Sequence, residues 1–184
     1  MIRLFDCMFS LIGLLLLLPI LLLLMFLGFL DTQSPIFIQE RMGKNKKRFQ
    51  LIKFRTMLPS TAQVATHLVK QSNITRYGSF LRRSKLDELP QLMNVLIGDM
   101  SLVGPRPNLP SQTELIQERE TRGVYAQRPG ITGLAQIKEI DMSTPALLAE
   151  TDQTMIENLN TLTYFKYIFL TIGGKGSGDR VKKN

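Results

Sequence analysis

Between Arg76 and Pro107 the chain gathers the residue types that phosphate chemistry needs. Asp87 and Glu88 stand side by side. Arg76, Arg82, Arg83 and Lys85 precede them, and Arg106 follows within the rigid Gly104-Pro105-Arg106-Pro107. A carboxylate that approaches a phosphoryl group is repelled by it unless cations or a metal ion offset the charge. With an ordinary pKa of about 3.9, an Asp needs no base to become a nucleophile. Successive helical residues point about 100° apart, because a turn holds about 3.6 residues, so the pair cannot both meet one phosphorus in line. One carboxylate would attack, and the other must orient or bind. The plainer reading is capping: Asp is a favoured N-cap residue, and the helix dipole favours acids at that end.

Two other groups of residues bear on the same chemistry. In Gln50-Leu51-Ile52-Lys53-Phe54-Arg55-Thr56-Met57 an extended chain places Lys53 and Arg55 on one face with Leu51 and Met57. That is a strand with neighbouring cations, either facing a phosphate or guarding a sheet edge. In Arg128-Pro129-Gly130-Ile131-Thr132-Gly133-Leu134-Ala135-Gln136 the glycines and proline shape a turn whose backbone can approach a ligand closely, or simply a glycine loop. The lone His67 has no second histidine or nearby cysteine and is expected to be structural.

These residues need elements to hold them. Leu86, Leu89, Leu92, Met93 and Leu96 recur at helical spacing. Pro90 is tolerated only in a first turn, so the spacing predicts a helix beginning near Asp87 and Glu88 and stopping at Gly98. Residues 60–72 also read as helical. The aromatic, apolar run from Tyr164 to Ile172 is too short to span a bilayer. It is either an interfacial helix or a core helix, and the basic Arg180-Val181-Lys182-Lys183 comes after it.

From Met8 to Leu30 the chain carries no charge, and about 20 apolar residues suffice to span a bilayer as a helix. No small-x-small pattern precedes Asp31, which argues against a cleaved signal peptide. The basic run Arg41, Lys44, Lys46, Lys47, Arg48 places the remainder of the chain on the cytoplasmic side. Pro19 lies inside the apolar run, where it removes a backbone donor. The helix either spans with a kink or breaks and returns to the same face, and the residues alone leave both open. At 184 residues, with 44% hydrophobic and 21% charged, the chain reads as one folded unit and excludes wholesale disorder. A net charge of +8 calls for anionic partners. The single Cys7 excludes a disulfide framework and a cysteine-based zinc site within one chain.

Lys53-Phe54-Arg55-Thr56-Met57, Leu86-Asp87-Glu88-Leu89-Pro90-Gln91, Asn94-Val95-Leu96, Asp99 through Pro107, and Arg128 through Gly133 resemble, in order, the motifs of the bacterial sugar transferases called small monotopic phosphoglycosyl transferases. The likeness covers nearly the whole chain. It implies an α+β, mostly helical fold in a single membrane-associated domain with interfacial amphipathic helices. Residues 1–30 would form a re-entrant helix-break-helix broken at Pro19, and residues 31–184 a cytoplasmic catalytic domain. It implies transfer of a sugar-1-phosphate from a UDP-sugar to undecaprenyl phosphate with release of UMP. The setting would be the cytoplasmic face of a bacterial inner membrane, at the start of a surface glycan or glycoprotein glycan.

The resemblance also implies Mg2+ as cofactor, held at Asp87, with Asp87 the nucleophile of a covalent phospho-sugar enzyme and Glu88 its dyad partner. Lys53, Arg55, Arg82 and Arg106 would bind phosphate, and Arg128 and Gln136 would line the nucleotide-sugar site. The partners it implies are the two substrates and inner-membrane lipid, not nucleic acid, with a homodimer left open. Two departures stand out. Leu18, where many members have Ser, precedes Pro19, and the stretch from Ile137 to Pro145 lacks the Gly-Arg-Asn of many relatives. Composition alone also allows a membrane-anchored basic adaptor that binds anionic lipid or nucleic acid without catalysis.

Overall fold

The structure, a computed structural model, describes residues 1–61 and 73–176. His67, the basic Arg180–Lys183 and nearly all of the helix expected over 60–72 lie outside them. Helices dominate, with two small two-stranded sheets, as an α+β, mostly helical fold requires.

Helix α1 (Ile2–Thr32) is 31 residues long, and its most apolar stretch has a mean hydropathy of 2.9 with only 11% of it buried. Leucines standing this openly along one element are compatible with membrane association, since water disfavours so large an apolar surface. The expected break at Pro19 is not there: helical backbone continues through it. A proline deletes one donor, and the leucines on either side are good helix formers, so the loss of a single bond does not end the helix.

Both ends of α1 are fastened to the rest of the chain. Near its start Arg3 donates to the carbonyls of Val95 at 2.6 Å and Leu96 at 2.9 Å. Asp6, buried, accepts from Ser101 Oγ at 3.0 Å, Leu102 N at 2.9 Å and Tyr164 Oη at 2.8 Å. Near its end Leu24 packs with Phe54 and Leu81, and the Tyr77 hydroxyl donates to the Leu24 carbonyl at 2.7 Å.

Strands β1 (Ile36–Met42) and β2 (Arg48–Phe54) form an antiparallel hairpin that pairs Gln39 with Leu51 and Arg41 with Phe49. The strand expected over 50–57 therefore begins and ends earlier. Arg55 has left the ladder and donates its backbone N–H to Pro35 O. Helix α2 (Arg76–Ser84) starts at Thr75, whose hydroxyl accepts from Gly78 N at 2.8 Å. It lies so close to Thr56 that a Cβ on Gly78 would stand 2.0 Å from the Thr56 carbonyl oxygen.

Lys85, left-handed at φ 56, ends α2 and turns the chain into a short 3-10 turn, Leu86–Glu88, before α3 (Gln91–Ile97). Asp87 and Glu88 thus precede the helix they were expected to begin. Pro90 has no N–H, so the i→i+4 ladder cannot extend back through it. The connecting bonds are the shorter kind, Leu89 N to Leu86 O at 3.3 Å and Met93 N to Pro90 O at 3.0 Å. The helix ends as expected at Gly98, left-handed at φ 100.

Strand β3 (Ser101–Val103) pairs in parallel with β4 (Gly130–Thr132), and around them lie α4 (Thr113–Thr121), α5 (Leu134–Ile137), α6 (Pro145–Glu157) and α7 (Thr161–Ile172). Helix α7 divides the alternatives left open for it by face. Tyr164 and Tyr167 are buried, whereas Leu162, Phe169 and Ile172 are exposed.

Arg119 of α4 and Asp152 of α6 form an ion pair, both nearly inaccessible, with bonds of 3.0 and 2.6 Å. Arg119 also donates to the Arg106 carbonyl and to Asn108 Oδ1, which fixes the Gly104–Asn108 segment. Removing one partner leaves a buried charge uncompensated. Asp152→Ala is expected to lose about 3–5 kcal/mol of stability. Replacing Arg119 and Asp152 together with Met and Leu should recover most of it, as chemical denaturation of the detergent-solubilised protein will show.

Candidate active site

The Leu86–Glu88 turn, the hairpin and the Gly104–Pro107 segment enclose a cavity of about 560 Å³. Asp87, Glu88, Lys53, Arg82, Arg106 and Gln136 all line it, so six of the site residues expected from the sequence meet in one space. Asp87 comes from the 3-10 turn and is buried, and Glu88 beside it accepts from Arg106 Nη2 at 3.3 Å. Lys53 arrives from the last turns of β2, opposite Phe37, whose ring lies 5.4 Å from its ammonium. Gln136 is buried on α5.

Arg55 and Arg128 do not reach this space. Arg55 is folded back on the junction after α1, donating to Ser34 O at 2.8 Å, Ser34 Oγ at 3.1 Å and Ile36 O at 3.2 Å. Arg128 donates to Gly98 O at 2.8 Å and lines a smaller cavity on the other side of β3 with Asp6 and Met155. The 128–133 turn lines the cavity through Gly130, Ile131 and Thr132, and its glycines also serve a close approach within the chain. A Cβ on Gly130 would stand 2.0 Å from Gly104 N, and one on Gly133 would stand 2.5 Å from Gly104 O. Their lack of a side chain lets two stretches of this chain's own backbone meet, which presses the Arg106 segment against β4.

One cation of the site is, by sequence, only a member of the general basic run after α1. Arg41 lines the cavity, is buried, donates to Pro107 O at 3.1 Å and Gln39 Oε1 at 2.6 Å, and has a buried Nε with no hydrogen-bond partner. In β1 Gln39 and Arg41 are buried while Ile38 is exposed and Glu40 only half-buried, the reverse of what the apolar Ile36 and Ile38 suggest, so the sequence carries no signal that marks Arg41.

Electrostatics follow from burial. Among the described residues, five cations and two carboxylates line the cavity, an excess of positive charge that fits an anionic ligand. Burial pushes the Asp87 carboxyl up to about 6, assisted by Glu88, while Lys53, Arg82 and Arg106 pull it back down. The unshifted carboxylate assumed from sequence is thereby corrected. Burial also lowers the Lys53 ammonium to about 8, and Asp87 opposes that shift. Arg41 is lowered to about 10 by burial, and next by Arg106. No group of three or more His, Cys, Asp or Glu side chains able to hold a metal occurs among the described residues. Two adjacent carboxylates in a cavity rich in cations are nonetheless donors of the kind Mg2+ takes when substrate phosphates and waters complete its coordination.

In the metal-free protein, carboxyl-carbon NMR should find Asp87 titrating near 6 rather than near 4. Because Lys53 stabilises the ionised form, Lys53→Met should move that titration higher. A midpoint that stays put or falls would contradict this arrangement. Lys53 is charged below about 8 and neutral above it. Affinity for an anionic substrate, measured as KM, is therefore expected to weaken from pH 7 to pH 9 in the wild type and far less in Lys53→Arg.

The family model described as bacterial sugar transferase matches residues 1–175. An exopolysaccharide production protein, PSS, of Rhizobium leguminosarum bv. phaseoli is 44% identical over 147 residues, covering 74% of this chain and 72% of that protein. An undecaprenyl-phosphate glucose phosphotransferase of Komagataeibacter xylinus is 42% identical over 144 residues, 73% of this chain and 27% of the longer relative. A UDP-N-acetylgalactosamine-undecaprenyl-phosphate N-acetylgalactosaminephosphotransferase of Aeromonas hydrophila is 34% identical over 160 residues, 80% of this chain and 38% of that one. A match over nearly the full length, on a fold that brings the acidic pair and its cations into one cavity, makes this chain a member of the bacterial sugar transferase family.

Proposed function

We propose that this sugar transferase moves a sugar-1-phosphate from a UDP-sugar to undecaprenyl phosphate and releases UMP through a covalent intermediate on Asp87. The observation that carries the reading is a buried carboxylate set among Lys53, Arg82 and Arg106 in a cavity with surplus positive charge. An Oδ of Asp87 attacks the sugar-side phosphorus, and the bond from that phosphorus to the oxygen of UMP breaks. An oxygen of the acceptor phosphate then attacks the same phosphorus, and the Asp87 carboxylate leaves. Each half displaces one oxygen by another, so the cations need only hold the spread phosphoryl charge. Glu88, tied to Arg106, orients that cation and the acceptor more than it removes a proton. Mg2+, held by Asp87 with Glu88 beside it, would supply Lewis-acid charge to the diphosphate when bound.

The same proposal has α1 lie in the membrane without crossing it. Asp6 and Leu24 are 18 residues apart, about 27 Å along a straight helix, yet both are bound to one domain. A crossing helix would hold those ends on opposite sides. The basic residues after α1 favour the cytoplasmic face, and the exposed apolar side of α7 would lie at the interface. An adaptor without catalysis has no use for a buried Asp87 carboxylate among cations.

The test is nucleotide release by the solubilised protein across a panel of UDP-sugars with Mg2+, with and without undecaprenyl phosphate. UMP rather than UDP is expected, in a stoichiometric burst without acceptor. The burst should fall roughly a thousandfold or more in Asp87→Asn and persist in Glu88→Gln. No UMP from any sugar, with folded protein, would overturn the proposal.

A further inference from the structure

The cavity is not charged throughout. Its cations come from β1, β2, the region around the Leu86–Glu88 turn and the Gly104–Pro107 segment, whereas α1 contributes Phe9 and Gly13, α3 contributes Leu92, and α7 contributes Ile168 and Ile172. Helices α1 and α7 are knit together there by rings, with Phe9 and Phe165 centroids 5.9 Å apart. Beyond the shared seam both helices turn apolar residues outward, among them Ile12, Leu16, Phe169 and Ile172. The apolar lining therefore runs into the same exposed apolar surface that would face lipid.

Resting on the transferase reading, we infer that the passage between Phe9 and Gly13 of α1, Leu92 of α3 and Ile168 and Ile172 of α7 receives the isoprenoid chain of the acceptor. Charge and polarity choose the occupant. A nucleotide sugar is polar along its whole length and gains nothing from these side chains, whereas a polyprenyl phosphate has one anionic end and a hydrocarbon body. Its phosphate would reach the cations while its first isoprene units lie against α1 and α7, burying apolar surface that is otherwise exposed. Gly13 lets α1 pack against Leu92 at one wall of the passage: a Cβ there would stand 3.3 Å from Leu92 Cδ1, so a larger side chain must displace Leu92 or intrude on the apolar lining.

The experiment compares Gly13→Leu and Ile172→Trp with wild type in two assays. The first is the UMP burst from donor alone. The second is turnover with undecaprenyl phosphate against a short acceptor, citronellyl phosphate. Ile172 is exposed, so its variant tests the idea even if Gly13→Leu folds poorly. The burst is expected to persist, while the ratio of long-chain to short-chain turnover falls roughly tenfold. Equal loss with both acceptors, or an unchanged ratio while the burst persists, would overturn the inference. Absence of a burst in the wild type would instead remove the transferase reading, and this inference with it.

Discussion

One buried carboxylate holds this structure in register. Asp6 takes a hydroxyl from β3, the backbone N–H of the next residue and the hydroxyl of Tyr164 on α7. Charge-assisted bonds of this kind are about twice as strong as neutral ones, and a buried carboxylate stripped of them would be costly. The node therefore fixes the rotation of α1 about its own axis. Phe9 and Gly13, one and two turns further on, are thereby brought to the cavity wall. Arg3, a turn earlier, donates to the Val95 and Leu96 carbonyls near the end of α3, so the helix after the Leu86–Glu88 turn is tied to the same support.

On that frame the site sets two opposing effects against each other. Burial disfavours every charge in the cavity, and the charges partly compensate one another. For Asp87 burial is the larger effect, so its carboxyl sits near 6 despite the surrounding cations. A group at that value is mostly ionised at neutral pH and more basic than an exposed Asp. In the proposed double displacement the same oxygen must attack and then leave, and an intermediate basicity serves both steps. Glu88 and Arg106 share their charge at the more open side, where the ion pair is partly exposed.

Much of this was legible in the sequence because it is local. The acidic pair among cations, the helix stop at Gly98, the strand containing Lys53 and the apolar N-terminal helix all follow from neighbours in the chain. The features that escaped depend on distant partners. Arg41 looked like one more basic residue after a membrane segment, since its partner Pro107 is 66 residues away. Arg55 shares a motif with Lys53 but lies past the strand end, where the carbonyls of Ser34 and Ile36 claim it. The glycines of the 128–133 turn pointed to a ligand, and the backbone of Gly104 that they also approach is distant in sequence. Pro19 left a kink and a break both open, and the break that the resemblance implied is not made, because one missing hydrogen bond is a small loss within so long an apolar helix.

The distance in sequence between Asp6 and Tyr164, 158 residues, also orders the events of synthesis. Helix α1 is complete as a helix on its own hydrogen bonds, while Ser101, Leu102 and Tyr164 are still to be made. Its apolar surface must find a lipid or chaperone surface during that interval, with Asp6 still hydrated. Docking of α7 then dehydrates the carboxylate and completes the cavity wall in one event. Maturation of the enzyme is thus gated by its last described helix.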